Sequence, residues 1–244
     1  ALILDFGSQY TQLIARKVRE LGVYSEIHPY NLPLERIKAL NPGAIILSGG
    51  PKSVYEPDSP HPDPGLFQLG IPILGICYGL QLIAHHLGGK VEKAPRKEYG
   101  FASLRILDRR GLLHSLKDKT QVWMSHGDRL EAIPEGFAIT ARTSNSRAAV
   151  IENTHLKIYG VQFHPEVAHT AEGKKILANF LFRLSGLKAD WNMKSFIEQK
   201  VREIRQQVGR EKVICGLSGG IDSLVTSLLI QKAVGRQLYC IFVN

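Results

Sequence analysis

Through the first ninety residues, short apolar runs alternate with stretches at helical spacing, and this alternation leaves few folds open. Ala1–Asp5 reads as a buried strand, after which Tyr10, Leu13, Ile14, Val18 and Leu21 recur as one helix face. Tyr24–His28 and Ala44–Ser48 read as strands on either side of a helical stretch, Leu34–Leu40. A proline-rich loop (Pro57, Pro60, Pro62, Pro64) follows, and Ile71–Ile76 then feeds a helix from Gly79 to Leu87. Parallel strands need crossover connections, so the pattern predicts a doubly wound α/β domain whose sheet is covered on both faces.

From Tyr99 to Phe163 the texture becomes β-rich: Phe101–Leu107, Thr120–Ser125, Phe137–Ala141, Ala148–Glu152 and Lys157–Phe163 read as strands with short connections. The sheet is therefore expected to be mixed, and a helix at Gly173–Leu184 closes the first domain, residues 1–185. A linker, 186–195, leads into a second unit, 196–244. There the βαβ pattern restarts with strand Lys212–Leu217, helix Ser223–Val234 and strand Gln237–Val243, preceded by a basic amphipathic helix. Two strands and one crossover helix bury too little surface to close an α/β core. The second domain is expected to be incomplete as given, and, with no initiator Met, the first residue is expected to lie slightly inside a longer chain.

Composition narrows the function classes. With 44% hydrophobic and 22% charged residues over 244 positions, the chain is of the globular type. No apolar run is long enough to span a bilayer and no signal peptide stands at the start, so no membrane partner is expected. Cys77, Cys215 and Cys240 are too few and too scattered for a disulfide framework or a metal-ligand cluster. The expected setting is cytoplasmic, with Cys215 and Cys240 as core residues and no metal site. A net charge of +9 suits phosphorylated substrates as well as nucleic acid. No basic run interleaved with aromatics supports the nucleic-acid reading, although salt-sensitive RNA binding is the outcome that would favour it.

Gly75-Ile76-Cys77-Tyr78-Gly79 has the form of a nucleophile elbow, G-x-S-x-G with Cys in place of Ser. Small residues two before and two after the nucleophile are needed because the strand-to-helix turn leaves no room for Cβ atoms. The thiol then projects at a helix N-terminus, whose dipole favours negative charge, and the Tyr78 N–H can face a developing oxyanion. Gln81, one helical turn further on, shares the cysteine's face. In His164-Pro165-Glu166 the proline holds His164 extended, so residues i and i+2 share a face and Glu166 can orient the imidazole. A thiol, an imidazole and an orienting acid are the parts of an activated nucleophile.

Together Gly-Ile-Cys77-Tyr-Gly-Leu-Gln81, His164-Pro-Glu166 and Leu-Ser-Gly49-Gly50-Pro51 resemble the class I (triad) glutamine amidotransferases. The resemblance implies that Cys77 attacks the glutamine side-chain amide, with His164 as base and acid and Glu166 orienting it. Gly50 and Tyr78 N–H groups would form the oxyanion hole, and Gln81 with Ser125-His126-Gly127-Asp128 would hold glutamine. Asp5-Phe6-Gly7 is read as a plain strand-to-helix turn, and His85-His86 as surface and packing residues.

Leu217-Ser218-Gly219-Gly220-Ile221-Asp222-Ser223 ends a strand and opens a helix, so glycine backbone and helix N–H groups can approach an anion. Without the lysine of a Walker A loop, it resembles instead the S-G-G-x-D-S pyrophosphate loop of the ATP pyrophosphatases. That likeness implies ATP binding by Ser218, Gly219, Gly220, Ile221, Asp222, Ser223 and Leu224, with ATP and Mg²⁺ as a substrate complex and no prosthetic group. Asp222 is read either as positioning the magnesium–pyrophosphate or as a helix cap. A triad glutaminase followed by this loop, with Asp5-Phe-Gly-Ser-Gln9-Tyr-Thr-Gln12-Leu-Ile-Ala-Arg16, is similar to the glutamine-hydrolysing GMP synthetases. It implies glutamine, ATP and xanthosine monophosphate as substrates, and a homodimer formed through a region beyond residue 244. A stand-alone glutaminase serving another synthetase is the alternative.

Overall fold

The structure is a computed structural model that describes residues 1–242, the side chains of Pro95 and Arg96 excepted. It divides into two units, Ala1–Asp190 and Trp191–Asn244.

The first unit is built on nine strands: β1 (Leu2–Asp5), β2 (Glu26–Pro29), β3 (Ile45–Leu47), β4 (Ile73–Ile76), β5 (Lys90–Ile106), β6 (Lys119–Ala132), β7 (Ala138–Arg142), β8 (Val150–Asn153) and β9 (Ile158–Val161). They lie in the order β2-β1-β3-β4-β9-β8-β7-β5-β6. Strands β2 through β9 in that order pair in parallel, and β8, β7, β5 and β6 continue the sheet antiparallel. The sheet is mixed, as its sequence pattern indicates. Helices α1 (Thr11–Glu20), α2 (Leu34–Leu40), α3 (Tyr78–His86) and α4 (Gly173–Ala178) belong to the same unit.

Alternation along β1 explains why helices are needed on both faces. Ile3 joins Ile46, Leu74, Ile14 and Val18 with Ile176 and Phe180 in one core. Leu2 and Leu4 join Ile45, Leu47 and Ile73 with Ile37, Leu80 and Ile83 in the other.

Two features of the first unit differ from the sequence reading. Strands β5 and β6 run for 17 and 14 residues, far beyond the expected Phe101–Leu107 and Thr120–Ser125. Their pairing is irregular between Lys93 and Glu98, where polar residues hide the two-residue alternation. The closing helix changes at Asn179 into a π-helical stretch, Asn179–Leu184. There the Asn179 amide donates to the carbonyls of Leu112 and His114, both at 2.9 Å.

The second unit holds α5 (Met193–Val208), β10 (Val213–Leu217), α6 (Ile221–Val234) and β11 (Leu238–Phe242). Asn192 caps α5 by accepting from the Ser195 N–H at 2.9 Å, so the helix begins within the stretch read as linker 186–195. Strands β10 and β11 pair in parallel, with Cys215 opposite Cys240. Cys215 is buried, but Cys240 is exposed, against expectation. Nothing among the described residues covers the far side of β11, and Ile214 (71% exposed) and Phe242 (66%) face water in the same way. Val243, the last residue of the expected strand, and Asn244 lie outside the described residues. No helix among the described residues is long and apolar enough to cross a membrane.

Candidate active site

Strand β4 ends at Ile76, and the chain turns within one residue into α3. That residue is Cys77, at φ 54° and ψ −101°, a conformation costly for a side chain and characteristic of functional turns. Its N–H donates to Val161 on the neighbouring strand at 2.8 Å, and its carbonyl accepts from Gln81 N–H at 3.2 Å. The glycines around it are sterically required. A Cβ on Gly75 would lie 2.5 Å from the Gly79 carbonyl, and one on Gly79 would lie 2.5 Å from the Leu47 oxygen. The cysteine is 5% exposed.

Strand β9 lies beside β4, with Gly75 opposite Gly160 and Ile76 opposite Val161. The chain leaving β9 carries His164, whose N–H donates to Trp123 O at 3.0 Å and whose carbonyl accepts from Thr170 Oγ1 at 2.6 Å. Its ring meets the edge of Tyr10, with centroids 5.1 Å apart. Nδ1 lies 2.7 Å from Oε1 of Glu166, a residue that is 1% exposed. Burial works against the charged imidazole, yet hydrogen bonds to Cys77 and Glu166, with their charge, push its pKa well up. Gln162, wholly buried, places its amide Nε2 3.9 Å from Cys77 Sγ, and the thiol itself points at the Ser125 carbonyl, 3.6 Å away.

Cys77 and His164 open onto one cavity of about 530 Å³, lined also by Gly50, Tyr78, Gln81, Ser125, His126, Gly127 and Asp128. A side chain at Gly50 would meet the Phe6 carbonyl at 2.8 Å. The Tyr78 phenol donates to Pro60 O at 2.9 Å, and burial pushes its pKa up to about 12, so the side chain is a neutral strut in the cavity wall. Gln81 donates from Nε2 to Asp128 O at 3.2 Å. Ser125–Asp128 lie inside β6, which continues past the expected strand end at Ser125. Within this segment His126 is occupied on both ring nitrogens: Nδ1 is 2.8 Å from Asp128 O and Nε2 is 3.2 Å from Glu98 Oε2. Its imidazole is thus committed to the fold.

Lys52, Glu56, Lys93, Lys97 and Tyr99 line the same cavity and were not singled out from sequence. No short motif marks them. Glu98, behind the wall, could have been found only by knowing that it registers with His126 across β5 and β6.

Of the second group, Ser218–Leu224 form a loop between β10 and α6 with Gly219 at φ 76°. The Ser223 hydroxyl donates to Gly220 O at 2.9 Å and accepts from Ser218 N–H at 3.3 Å, which tightens the turn and leaves it open to solvent. Gly220 is the N-cap residue of α6, with no side-chain capping bond, so Asp222 stands in the first turn without a capping role.

His85 and His86 belong to a ring cluster. His61 Nδ1 is 3.1 Å from His86 Nε2, and His85 lies 5.2 Å from His61, centroid to centroid. Among the described residues no group of three or more His, Cys, Asp or Glu is arranged to hold a metal ion.

Residues 191–242 match the NAD synthase family. A GMP synthase [glutamine-hydrolyzing] of Brachyspira hyodysenteriae is 56% identical over 243 residues, covering 100% of this chain and 47% of that protein. The enzyme of the same name from Maridesulfovibrio salexigens is 54% identical, with 100% and 48% covered. The chain thus spans about half the length of the curated relatives it matches. Among solved structures, a Thermoplasma acidophilum protein named for GMP synthase superimposes with a TM-score of 0.66 at 28% identity, covering 76% of this chain and 92% of that one. A glutamine amidotransferase of Thermotoga maritima shares the fold, with a TM-score of 0.54, 22% identity, and 97% and 90% covered. Residues 2–184, three quarters of the sequence and the whole of the sheet that carries Cys77 and His164, match Glutamine amidotransferase class-I, and the chain belongs to that family.

Proposed function

We propose that the first unit hydrolyses the side-chain amide of glutamine through Cys77, His164 and Glu166. The observation that carries this reading is the strained Cys77 turn sharing a cavity with an imidazole whose Nδ1 is 2.7 Å from a buried carboxylate. With Nδ1 bonded to Glu166, the other ring nitrogen serves the thiol. The sulfur attacks the amide carbon, and the oxyanion is received by the Gly50 and Tyr78 N–H groups. His164 then gives its proton to the departing nitrogen, so ammonia leaves and a γ-glutamyl thioester remains. Water, deprotonated by the same imidazole, attacks the thioester, releasing glutamate and returning the thiol. Each oxyanion donor in such a site typically contributes about 3 kcal/mol. Gln81, Ser125, Gly127 and Asp128 hold the amino-acid end of the substrate, with His126 acting from behind.

In the larger reading this ammonia aminates xanthosine monophosphate to GMP, with ATP cleaved to AMP and pyrophosphate. The Ser218–Leu224 loop fits the magnesium–pyrophosphate part of that ATP, because Gly219 and Gly220 leave the helix N–H groups uncovered. The 56% identity to a GMP synthase across the whole chain supports this assignment over a glutaminase serving an unrelated synthetase. The bare apolar surface around Ile214 and Phe242 supports reading the second unit as the N-terminal part of an ATP pyrophosphatase domain.

The test is release of ammonia from glutamine, together with labelling of Cys77 by a diazo ketone that carries the glutamine α-amino acid group. The reading expects labelling of the parent chain and none of Cys77→Ala. Modification at another residue, or none while iodoacetamide still reaches Cys77, would reject it.

A further inference from the structure

We propose that Glu98 is a positioning residue for the amino-acid end of the substrate, acting through His126. This rests on the glutaminase reading of the cavity.

Strand register brings the two groups together. Glu98 of β5 and His126 of β6 are cross-strand partners, at the point where the irregular stretch from Lys93 ends and regular pairing resumes. Partners in register project to the same face. Both are buried: Glu98 is 7% exposed and His126 5%. A buried carboxylate and a buried imidazole are costly unless fully bonded, and here each atom has a partner.

Glu98 Oε1 accepts from the Thr143 hydroxyl at 3.2 Å, and Oε2 meets His126 Nε2 at 3.2 Å. Thr143 is fixed in turn, because its oxygen accepts from the N–H groups of Asn145 and Ser146 at 3.3 and 3.0 Å. On the far side of the ring, Nδ1 is 2.8 Å from the Asp128 carbonyl. A carbonyl only accepts, so Nδ1 carries a hydrogen. Nε2 is then the nitrogen that faces the Glu98 carboxylate.

The Asp128 carbonyl therefore receives two donors, His126 Nδ1 and, from the cavity side, Gln81 Nε2 at 3.2 Å. Gln81 stands one helical turn beyond Cys77 on α3, its N–H bonded to the Cys77 carbonyl. The chain Thr143–Glu98–His126–Asp128–Gln81 thus links a loop behind the sheet to the wall facing the nucleophile. It fixes where the Asp128 backbone and the Gln81 amide stand. It does not touch the Cys77 thiol or His164, so it governs recognition of the amino-acid end and leaves the reactivity of the thiol alone.

The experiment compares Glu98→Ala with Glu98→Gln in the 244-residue chain, using two electrophiles. One is the glutamine-like diazo ketone; the other is iodoacetamide, which needs no amino-acid recognition. Glu98→Ala is expected to raise the half-saturating diazo ketone concentration at least tenfold, with its maximal labelling rate within threefold of the parent. Iodoacetamide labelling of Cys77 should stay within twofold. Glu98→Gln should restore parent behaviour within threefold, because its amide can accept from Thr143 and donate to the neutral ring. Should Glu98→Ala fail to fold, Thr143→Val gives the same readout, with an expected rise of about threefold.

Unchanged half-saturation in Glu98→Ala, or in Thr143→Val where that replaces it, overturns the proposal and leaves the glutaminase reading standing. A parallel loss with both electrophiles also overturns it, because the pair would then only hold the fold. No diazo ketone labelling of the parent chain removes both readings together.

Discussion

Nδ1 of His164 and Oε1 of Glu166 stand 2.7 Å apart with both side chains almost wholly buried, which leaves the opposite ring nitrogen to the Cys77 thiol. The contact fixes the imidazole's tautomer as well as its direction, and the predicted effects of substitution follow from that.

Replacing the carboxylate by an isosteric amide should leave the fold intact and damage the chemistry. In Glu166→Gln the imidazolium loses a charged partner, one of the influences that raise its pKa, so the His164 pKa should fall. Glutamine hydrolysis is expected to drop by roughly 10²–10⁴-fold, the range of a general acid–base contribution, whose upper end matches neutralising a serine triad's orienting acid. A Glu166→Gln chain within a few-fold of the parent would show that the acid does not orient the histidine.

The backbone at Cys77 separates stability from catalysis. Cys77→Ala should abolish ammonia release, by at least about 10³-fold, while keeping the strained turn. Cys77→Gly should be equally inactive but more stable than Cys77→Ala by about 1 kcal/mol, because glycine tolerates φ 54° without penalty. Urea midpoints of the two variants, compared side by side, measure the difference.

Gly79→Ala probes the tightness of the same turn. The added methyl would sit 2.5 Å from the Leu47 carbonyl oxygen and 2.8 Å from its Cβ, and neither is free to retreat. A loss of about 2–3 kcal/mol is expected, with labelling of Cys77 slowed because α3 must shift. A Gly79→Ala chain as stable as the parent would mean that the turn yields more easily than its contacts require.

The His61–His85–His86 cluster predicts acid sensitivity away from the cavity. Burial, then the neighbouring His61 and His85, lower the His86 pKa from 6.5 to about 4. Tyr55 meets His85 edge to face and Phe67 lies tilted against His86, while the His61 ring also bonds Ser59, so no acidic group in these contacts offsets the charge. The unfolded chain therefore binds a proton that the folded chain refuses between those two pH values. The stability contributed is fully present above pH 6.5 and is lost as pH falls toward 4. His86→Gln, which keeps a partner for His61, should flatten the fall in urea midpoint between about pH 7 and about pH 4.5.

What the sequence disclosed depended on how local each signal was. The β4 turn is written in five consecutive residues, and His164 and Glu166 are two apart, so the groups meeting in the cavity could be picked out before any coordinates. The mixed sheet was legible for the same reason, most of its strands other than β5 and β6 containing a short apolar run. Glu98 carried no such mark: its partner His126 is 28 positions away, and the polar stretch before it masked the true length of β5. The expected strand stopped at Ser125 because the polarity of His126–Asp128 outweighs strand patterning, although Met124 and His126 are both buried. Cys240 was read as core from its apolar neighbours, and it is exposed because its strand lacks a covering layer among the described residues.

Strands β4 and β9 are immediate neighbours, and the nucleophile and the imidazole each depart from the same end of that pair. The two segments thus start one inter-strand repeat apart, ~4.8 Å, and the bonds of His164 to Trp123 O and Thr170 Oγ1 then hold the imidazole beyond the strand end. Connections remote from this pair could be lengthened, shortened or rebuilt without disturbing it, so long as the ladder between Gly75 and Gly160 and the seats at Trp123 and Thr170 keep their places.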